Sequence, residues 1–222
     1  MTPPRSAFGA PFQGGASSGP AEPVARPQLA SAKEPALVFP PDLLLRAQGA
    51  GLGLKAAIFD VDGVLTDGRI YIGEHGETVK AFSTLDGHGL KLLKAGGIEP
   101  VVITGRDSPA VRRRVADLGL AYAVYGAHDK LAAATPLLAA LGLDWDEVAA
   151  MGDDWPDLPL LSRAAFACAP AQAHAEVKAV AHHVTSVAGG YGAAREFCDL
   201  LLMAAGRYAG LLQGHLQTLD GR

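Results

Sequence analysis

The sequence predicts an α/β fold built on a doubly wound parallel sheet, and three observations point that way. Short apolar runs recur along the chain and are separated by stretches with helix-start and helix-stop residues, the pattern of strand–helix–strand units. Polar residues stand directly after several of these runs, in KAAIFD, EPVVITG and EVAAMGDD. In a parallel sheet that is where ligands bind, beyond the carboxyl ends of the strands. No internal repeat offers a competing architecture.

The elements follow in order. Residues 1–40 are Pro, Ala, Gly and Ser with few large apolar side chains, too little to offset the entropy of ordering, so a disordered tail is expected. PDLLLRAQ (41–48) opens on Pro and Asp and reads as a short helix. KAAIFD is a buried strand. RIYIG and ETVKAF alternate apolar and polar residues around GEHG and read as a hairpin. DGHGLKLLKAG is a helix ended by Gly. EPVVITG is a strand, and DSPAVRRRVADLG a helix capped by its opening Asp-Ser-Pro and closing Gly. AYAVYG, EVAAMGDD, AFACA and HHVT are further strands; DKLAAATPLLAALG, DWPDLPLLSRA and AEVKAVA are the helices between them. GAAREFCDLLLMAAGRYAGLL is expected to form one longer C-terminal helix.

Composition limits the functions available. The 222 residues are 49% hydrophobic and carry a formal net charge of −4. That balance gives no electrostatic footprint for nucleic acid or an anionic membrane. No apolar run is long enough for a transmembrane helix, and the start of the chain lacks the apolar core of a secretory signal. Cys168 and Cys198 suit neither a disulfide framework nor a CxxC metal site. A cytoplasmic, reducing setting is expected.

The chemistry concentrates in four places. Asp60-Val61-Asp62-Gly63 follows the strand KAAIF, and alternation points the carboxylates of Asp60 and Asp62 the same way. Two close carboxylates repel unless a cation lies between them or one holds a proton. Such a pair suits a nucleophile, an acid/base and a metal. A calcium loop fails, because Gly63 stands fourth and Tyr71 twelfth where such a loop needs Gly sixth and an acid twelfth. Thr104-Gly105-Arg106 puts a hydroxyl and backbone amides at a strand end, which suits a phosphate, although alone it reads as an ordinary turn. Lys130 opens a helix; an isolated lysine is usually a solvated charge. Gly152-Asp153-Asp154, followed by Asp157, offers the oxygen ligands Mg²⁺ prefers, or alone a helix cap. The four places fall at successive strand ends, and that coincidence makes them specific. His88 and His128 are read as solvated loop residues near the site.

This order of motifs resembles the haloacid dehalogenase superfamily of phosphatases, over about Lys55 to Leu202. The resemblance implies a Rossmann-like sheet. It makes Asp60 the nucleophile that forms an aspartyl phosphate, and Asp62 the acid and then the base. Thr104, Gly105 and Lys130 would hold the phosphoryl group. Mg²⁺ would be held by the Asp60 carboxylate, the Asp62 carbonyl and Asp153. Neither the span from Asp60 to Thr104 nor that from Lys130 to Asp153 has room for a cap domain, so the domain is capless with a β-hairpin insertion. The division expected is a tail (1–40), a short helix and linker (41–53), the phosphatase domain (54–205), and a helix end with tail (206–222).

Further stretches narrow the likeness. DVDGVLTDGRIYIGEHGETVKAF, STLDGHGLKLL, VVITGRDSPAVRRRVADLG, HDKL, GDDWPDLPLL and GGYGAAREFCDLLL are similar to the capless 3-deoxy-D-manno-octulosonate 8-phosphate phosphatases. That family is typically tetrameric, with the hairpins packed as a central barrel, and serves lipopolysaccharide precursor synthesis. Its substrate contacts map onto Asp62, Ser83, Thr84, Leu85, Asp86, Gly87, Lys91, Arg106, Arg114 and Lys130. Leu85 departs from the pattern, where many members carry Arg, and Lys91 keeps the charge of an Arg without its planar fork. Arg106, Arg112, Arg113 and Arg114 put four cations within nine residues of an acidic chain, which suits a substrate with both phosphate and carboxylate, although Arg112 and Arg113 read as a solvated helix face and Arg106 does not. The expected partners are a small sugar-acid phosphate and further copies of the chain. Two rival readings stay open: a phosphatase of a nine-carbon keto-deoxy acid 9-phosphate, and a catalytically dead scaffold, the latter disfavoured by the complete set Asp60, Asp62, Thr104, Lys130 and Asp153.

Overall fold

The computed structural model describes residues 35–49 and 53–220, with side chains up to residue 217. The tail expected over residues 1–40 lies outside the described residues as far as residue 34, as do 50–52 of the linker. Helix α1 (Pro41–Arg46) begins with Pro in its first turn and is closed by an Arg46–Asp42 ion pair of 2.9 Å.

Strands β1 (Ala56–Phe59), β4 (Glu99–Ile103), β5 (Tyr122–Val124), β6 (Val148–Met151), β7 (Phe166–Ala169) and β8 (His183–Val184) make one sheet. Strands β2 (Tyr71–Gly73) and β3 (Gly76–Val79) form a separate antiparallel ribbon. The six strands run parallel in the order β5-β4-β1-β6-β7-β8. At the centre, Ala56 pairs with both Glu99 and Val148, and Phe59 with Val102 and Met151.

Strand alternation sorts side chains onto two cores. Ala57, Phe59, Val102, Ala149, Met151, Phe166 and Cys168 face one, beneath α1, α2 (Thr84–Ala95), α3 (Pro109–Leu118) and α7 (Ala193–Ala204). Ala56, Ile58, Val101, Ile103, Val148, Ala150, Ala167 and Ala169 face the other, beneath α4 (Lys130–Leu141), α5 (Leu158–Leu161) and α6 (Ala175–Val180). In the first core Phe59 meets Phe197 edge-on with ring centroids 5.5 Å apart, and Phe197 stacks on Phe166 at 6.3 Å, each contributing about 1.5–3 kcal/mol by burial. The predicted doubly wound sheet is therefore present. From β1 the chain first builds outward through β4 and β5, then returns to β6 on the other side. The crevice between the ends of β1 and β6 is the switch point where such sheets bind ligands.

One element differs from expectation. The single C-terminal helix is broken: Gly206 adopts φ 67°, Arg207 N donates to Leu202 O at 2.8 Å and Gly206 N to Met203 O at 3.0 Å, a Schellman stop. A separate helix α8 (Tyr208–Asp220) follows. The hairpin turns its apolar residues outward, with Tyr71 44%, Ile72 69% and Val79 58% exposed. Its Glu77 and Lys80 face inward. Among the described residues no helix is long and apolar enough to cross a membrane.

Candidate active site

The residues at the β1 and β6 ends converge in the crevice. Asp60 is buried directly after β1, its N–H donating to Met151 O at 3.1 Å. The chain then turns sharply around the Val61 carbonyl, which accepts from the amides of Val64, Leu65 and Thr66. The Thr66 hydroxyl donates to the same carbonyl at 3.2 Å and accepts from Gly63 N and Gly68 N. Gly63 has φ 93°, and a Cβ there would collide with the Asp153 carboxylate. Only glycine meets both demands.

A second loop clamps this turn. Gly190 N donates to Val64 O at 3.0 Å. The Gln172 amide donates to Gly63 O at 2.6 Å and accepts from Gly189 N at 2.8 Å. A side chain on Gly189 would fall on the Gly63 carbonyl. The GGYG stretch thus reaches the site within its own chain.

Lys130, the first residue of α4, is 5% exposed. Its Nζ lies 2.7 Å from Asp60 Oδ1 and 2.5 Å from Asp157 Oδ1. Among the described residues Lys130 is the side chain that meets this buried Asp60 oxygen. Asp157 Oδ2 accepts from Asp153 N at 3.0 Å and Asp154 N at 3.4 Å. Both Asp157 oxygens are therefore engaged: one steers Lys130, the other shapes the Asp153–Asp154 backbone. The sequence reading saw Asp157 only as the residue trailing this motif. Its i+4 spacing from Asp153, at the third position of a helical turn, was the signal for a backbone-capping carboxylate.

One carboxylate oxygen from each of Asp60, Asp153 and Asp157 lies within 4.8 Å of the others. Burial, and then repulsion from Asp157, pushes the Asp60 carboxyl up to about 7 despite Lys130. Burial, then Asp60 and Asp157, raise Asp153 to about 7. Burial opposes the charge on Lys130, but Asp60 and Asp157 outweigh it and hold its pKa above the ordinary value. One lysine leaves this cluster short of positive charge. Three hard carboxylate donors within 4.8 Å of one another and their strong mutual repulsion fit a divalent cation such as Mg²⁺.

Thr104 is buried at the β4 end, with its N–H on Val124 O at 3.0 Å and its carbonyl accepting from Ala127 N at 2.9 Å. Its hydroxyl accepts from Arg106 N at 3.4 Å across the Thr104–Gly105 turn. Arg106 is half exposed, with Nη2 3.3 Å from Glu77 Oε2. Arg112 and Arg113 are neutralised nearby: Arg112 on Asp107 at 2.7 Å, Arg113 on Asp117 at 2.9 Å.

The remaining expected substrate contacts divide. Ser83 caps α2, its hydroxyl accepting from Asp86 N, and its carbonyl accepts from Arg114 Nη2 at 3.0 Å. The Asp86 carboxylate is 2% exposed and accepts from Arg195 N at 2.8 Å and Gly192 N at 3.3 Å, so it caps α7. Leu85 is 57% exposed. Thr84, Gly87, Lys91 and Arg114 line a shallow groove shared with His88 and Leu118, and no catalytic carboxylate lines it. His88 stands inside α2 rather than in a loop, its ring edge-on to that of His215.

Lys80 was missed. Its side chain has no exposed area and its ammonium contacts the Asp62 carboxylate, with Glu77 Oε2 at 3.4 Å. Lys80 follows the end of β3, and no motif in the sequence marks it.

A family profile described as haloacid dehalogenase-like hydrolase matches residues 123–196. The chain is 41% identical over 166 residues, 75% of its length, to 86% of the 3-deoxy-D-manno-octulosonate 8-phosphate phosphatase KdsC of Escherichia coli. It is 43% identical over 69% of its length to 82% of the Salmonella typhi protein of that name. A probable YrbI family phosphatase from Pseudomonas syringae superposes with TM-score 0.74 at 45% identity, covering 82% of this chain and 99% of that one. A 3-deoxy-D-manno-octulosonate 8-phosphate phosphatase from Moraxella catarrhalis, crystallised with magnesium, phosphate and the sugar acid KDO, gives TM-score 0.74 at 36% identity over 78% and 98% of the two chains.

Proposed function

We propose that this chain, which belongs to the 3-deoxy-D-manno-octulosonate 8-phosphate phosphatase family of the haloacid dehalogenase-like hydrolases, hydrolyses that eight-carbon sugar-acid phosphate to the free acid and inorganic phosphate. The observation that carries the reading is the Asp60–Asp153–Asp157 cluster, with Asp60 and Asp157 buried and Lys130 locked on them. The Asp60 and Asp153 carboxylates and the Asp62 carbonyl would hold Mg²⁺. When bound, it supplies the positive charge that offsets the charge on the phosphoryl oxygens.

Asp60 acts as nucleophile. One of its oxygens bonds to phosphorus as the bond from phosphorus to the sugar oxygen breaks, and the Asp62 proton passes to that leaving oxygen. Water then attacks the aspartyl phosphate, giving a proton to the Asp62 carboxylate; phosphate leaves and Asp60 is regenerated. Lys130, Thr104 and the Gly105 amide hold the phosphoryl oxygens, because phosphoryl transfer is mostly positioning and charge neutralisation. The clamp of Gln172, Gly189 and Gly190 keeps the Asp60–Asp62 turn rigid.

Arg106 reads the sugar acid beyond the phosphate. Its guanidinium is half exposed beside the crevice and supports this role. A charged hydrogen bond is worth about 1.5–3 kcal/mol, so Arg106→Ala should lower kcat/KM on the sugar-acid phosphate roughly ten- to a hundredfold. Hydrolysis of p-nitrophenyl phosphate should barely change. Equal losses on both would mean that Arg106 serves the phosphate or the fold. In a substrate panel the eight-carbon acid should outrank both glucose 6-phosphate and a nine-carbon acid 9-phosphate; the reverse order would overturn the specificity.

Lys91 and Arg114, apart from the catalytic carboxylates in their own chain, are suited to contribute charge to a neighbouring copy's substrate. The chain works as a homotetramer assembled on the outward apolar face of the hairpin, since Tyr71, Ile72 and Val79 otherwise stand in water. Light scattering at assay concentration should give four chains, and a monomer would contradict this.

A further inference from the structure

We propose that Lys80 is a positioning residue for Asp62: the inward lysine of the hairpin fixes the carboxyl that delivers a proton to the leaving oxygen. The inference rests on the reading of Asp62 as the acid.

Asp62 needs such a partner. Its carboxyl is 20% exposed, and among the described residues Lys80 makes the single hydrogen bond and ion pair that reach it. A carboxyl free to rotate would spend little time aimed at the leaving oxygen, and small misplacements of a reacting group are costly. Lys80 itself is unusual. A lysine is almost never fully buried unless paired, and Lys80 has no exposed side-chain area with Asp62 and Glu77 as its partners.

The network extends beyond the pair. Glu77 Oε1 accepts from the Ser108 hydroxyl at 2.6 Å, and Glu77 Oε2 meets both Lys80 at 3.4 Å and Arg106 at 3.3 Å. The inner face of β3 and the residues after it therefore tie the acid, through Lys80 and Glu77, to the turn that follows β4. The hairpin thus has an inner catalytic side as well as an outer apolar one. A purely structural role would pin the hairpin down but would be indifferent to the leaving group.

The test compares Lys80→Met with Asp62→Asn on two substrates, reading kcat/KM because it covers only the steps up to phosphoryl transfer to Asp60. The sugar-acid phosphate has a poor alkoxide leaving group that needs a proton; p-nitrophenyl phosphate does not. Asp62→Asn should lose roughly 10²–10⁴-fold on the sugar ester, the contribution of general acid catalysis, and far less on the aryl ester. Lys80→Met should show the same selectivity in smaller measure, at least about tenfold on the sugar ester and no more than about twofold on the aryl ester. If Asp62→Asn is selective and Lys80→Met loses equally on both, Lys80 serves the fold and the inference is overturned. If Asp62→Asn shows no selectivity, Asp62 is not the acid, and that reading falls together with the inference. Should Lys80→Met fail to fold by circular dichroism, Lys80→Gln takes its place: its shorter neutral amide does not restore the ion pair, so the sugar ester should still lose more than the aryl ester.

Discussion

Asp60→Asn should abolish turnover, with a loss of roughly 10⁶-fold on the scale that removal of a catalytic nucleophile costs, while the protein stays folded. The amide cannot form the acyl phosphate, so no other residue in the crevice replaces it. The fold should not suffer, because the wild-type carboxylate is held against its preference. Its pKa of about 7 lies above the ordinary carboxylate value through burial and then the charge of Asp157. A carboxyl raised on folding binds more protons in the folded than in the unfolded state. Without a divalent cation, stability therefore falls as pH rises from the ordinary carboxylate range towards about 7. The asparagine variant lacks that loss. In chelator at pH 8 its Tm should equal or exceed that of the wild type. Substantial turnover in the variant would refute the assignment of the nucleophile, and a much lower Tm would refute the electrostatic account.

Lys130→Met should damage stability and chemistry together. The ammonium is 4% exposed and pairs with Asp60 and Asp157 in a cluster that also holds Asp153. Taking one partner from a buried ion pair leaves uncompensated charge, at a cost of about 3–5 kcal/mol. The effect should be largest above about pH 7, where Asp60 and Asp153 ionise, and Mg²⁺ should restore part of it. Turnover of the folded fraction should fall by about 10²–10³, the effect of removing one preorganised charge from the transition state. Urea unfolding with and without Mg²⁺, and kcat/KM under native conditions, check both halves. An unchanged unfolding midpoint would mean that Lys130 is solvated and the cluster is looser than described.

The sheet and the crevice were legible because their signals are local. A strand buried on both faces reads as an apolar run, and its end reads as the first polar residue. Asp60, Thr104 and Asp153 follow β1, β4 and β6, and Lys130 opens α4. Alternation in the hairpin identifies two faces but not which one meets the domain: Ile72 and Val79 are exposed, while Lys80 and Glu77 pair with each other. Asp86 looked available to substrate in DGHG, yet its carboxylate caps α7 more than a hundred residues later in the chain. Gln172 carries no motif at all; its amide matters because two distant loops, at Gly63 and Gly189, present a carbonyl and an N–H at the right separation. The end of α7 was hidden by the apolar residues of α8, which continue the helical pattern across Gly206.

The central claim is that phosphorus bonds to the protein before it bonds to water. The stereochemical course at phosphorus tests it most directly. A substrate whose thiophosphoryl group is made chiral with two oxygen isotopes is hydrolysed in water carrying the third, and the configuration of the released thiophosphate is determined. Two in-line displacements, first by Asp60 and then by water, predict retention. Inversion would mean that water attacks the ester in one step, and would contradict an aspartyl phosphate on this path.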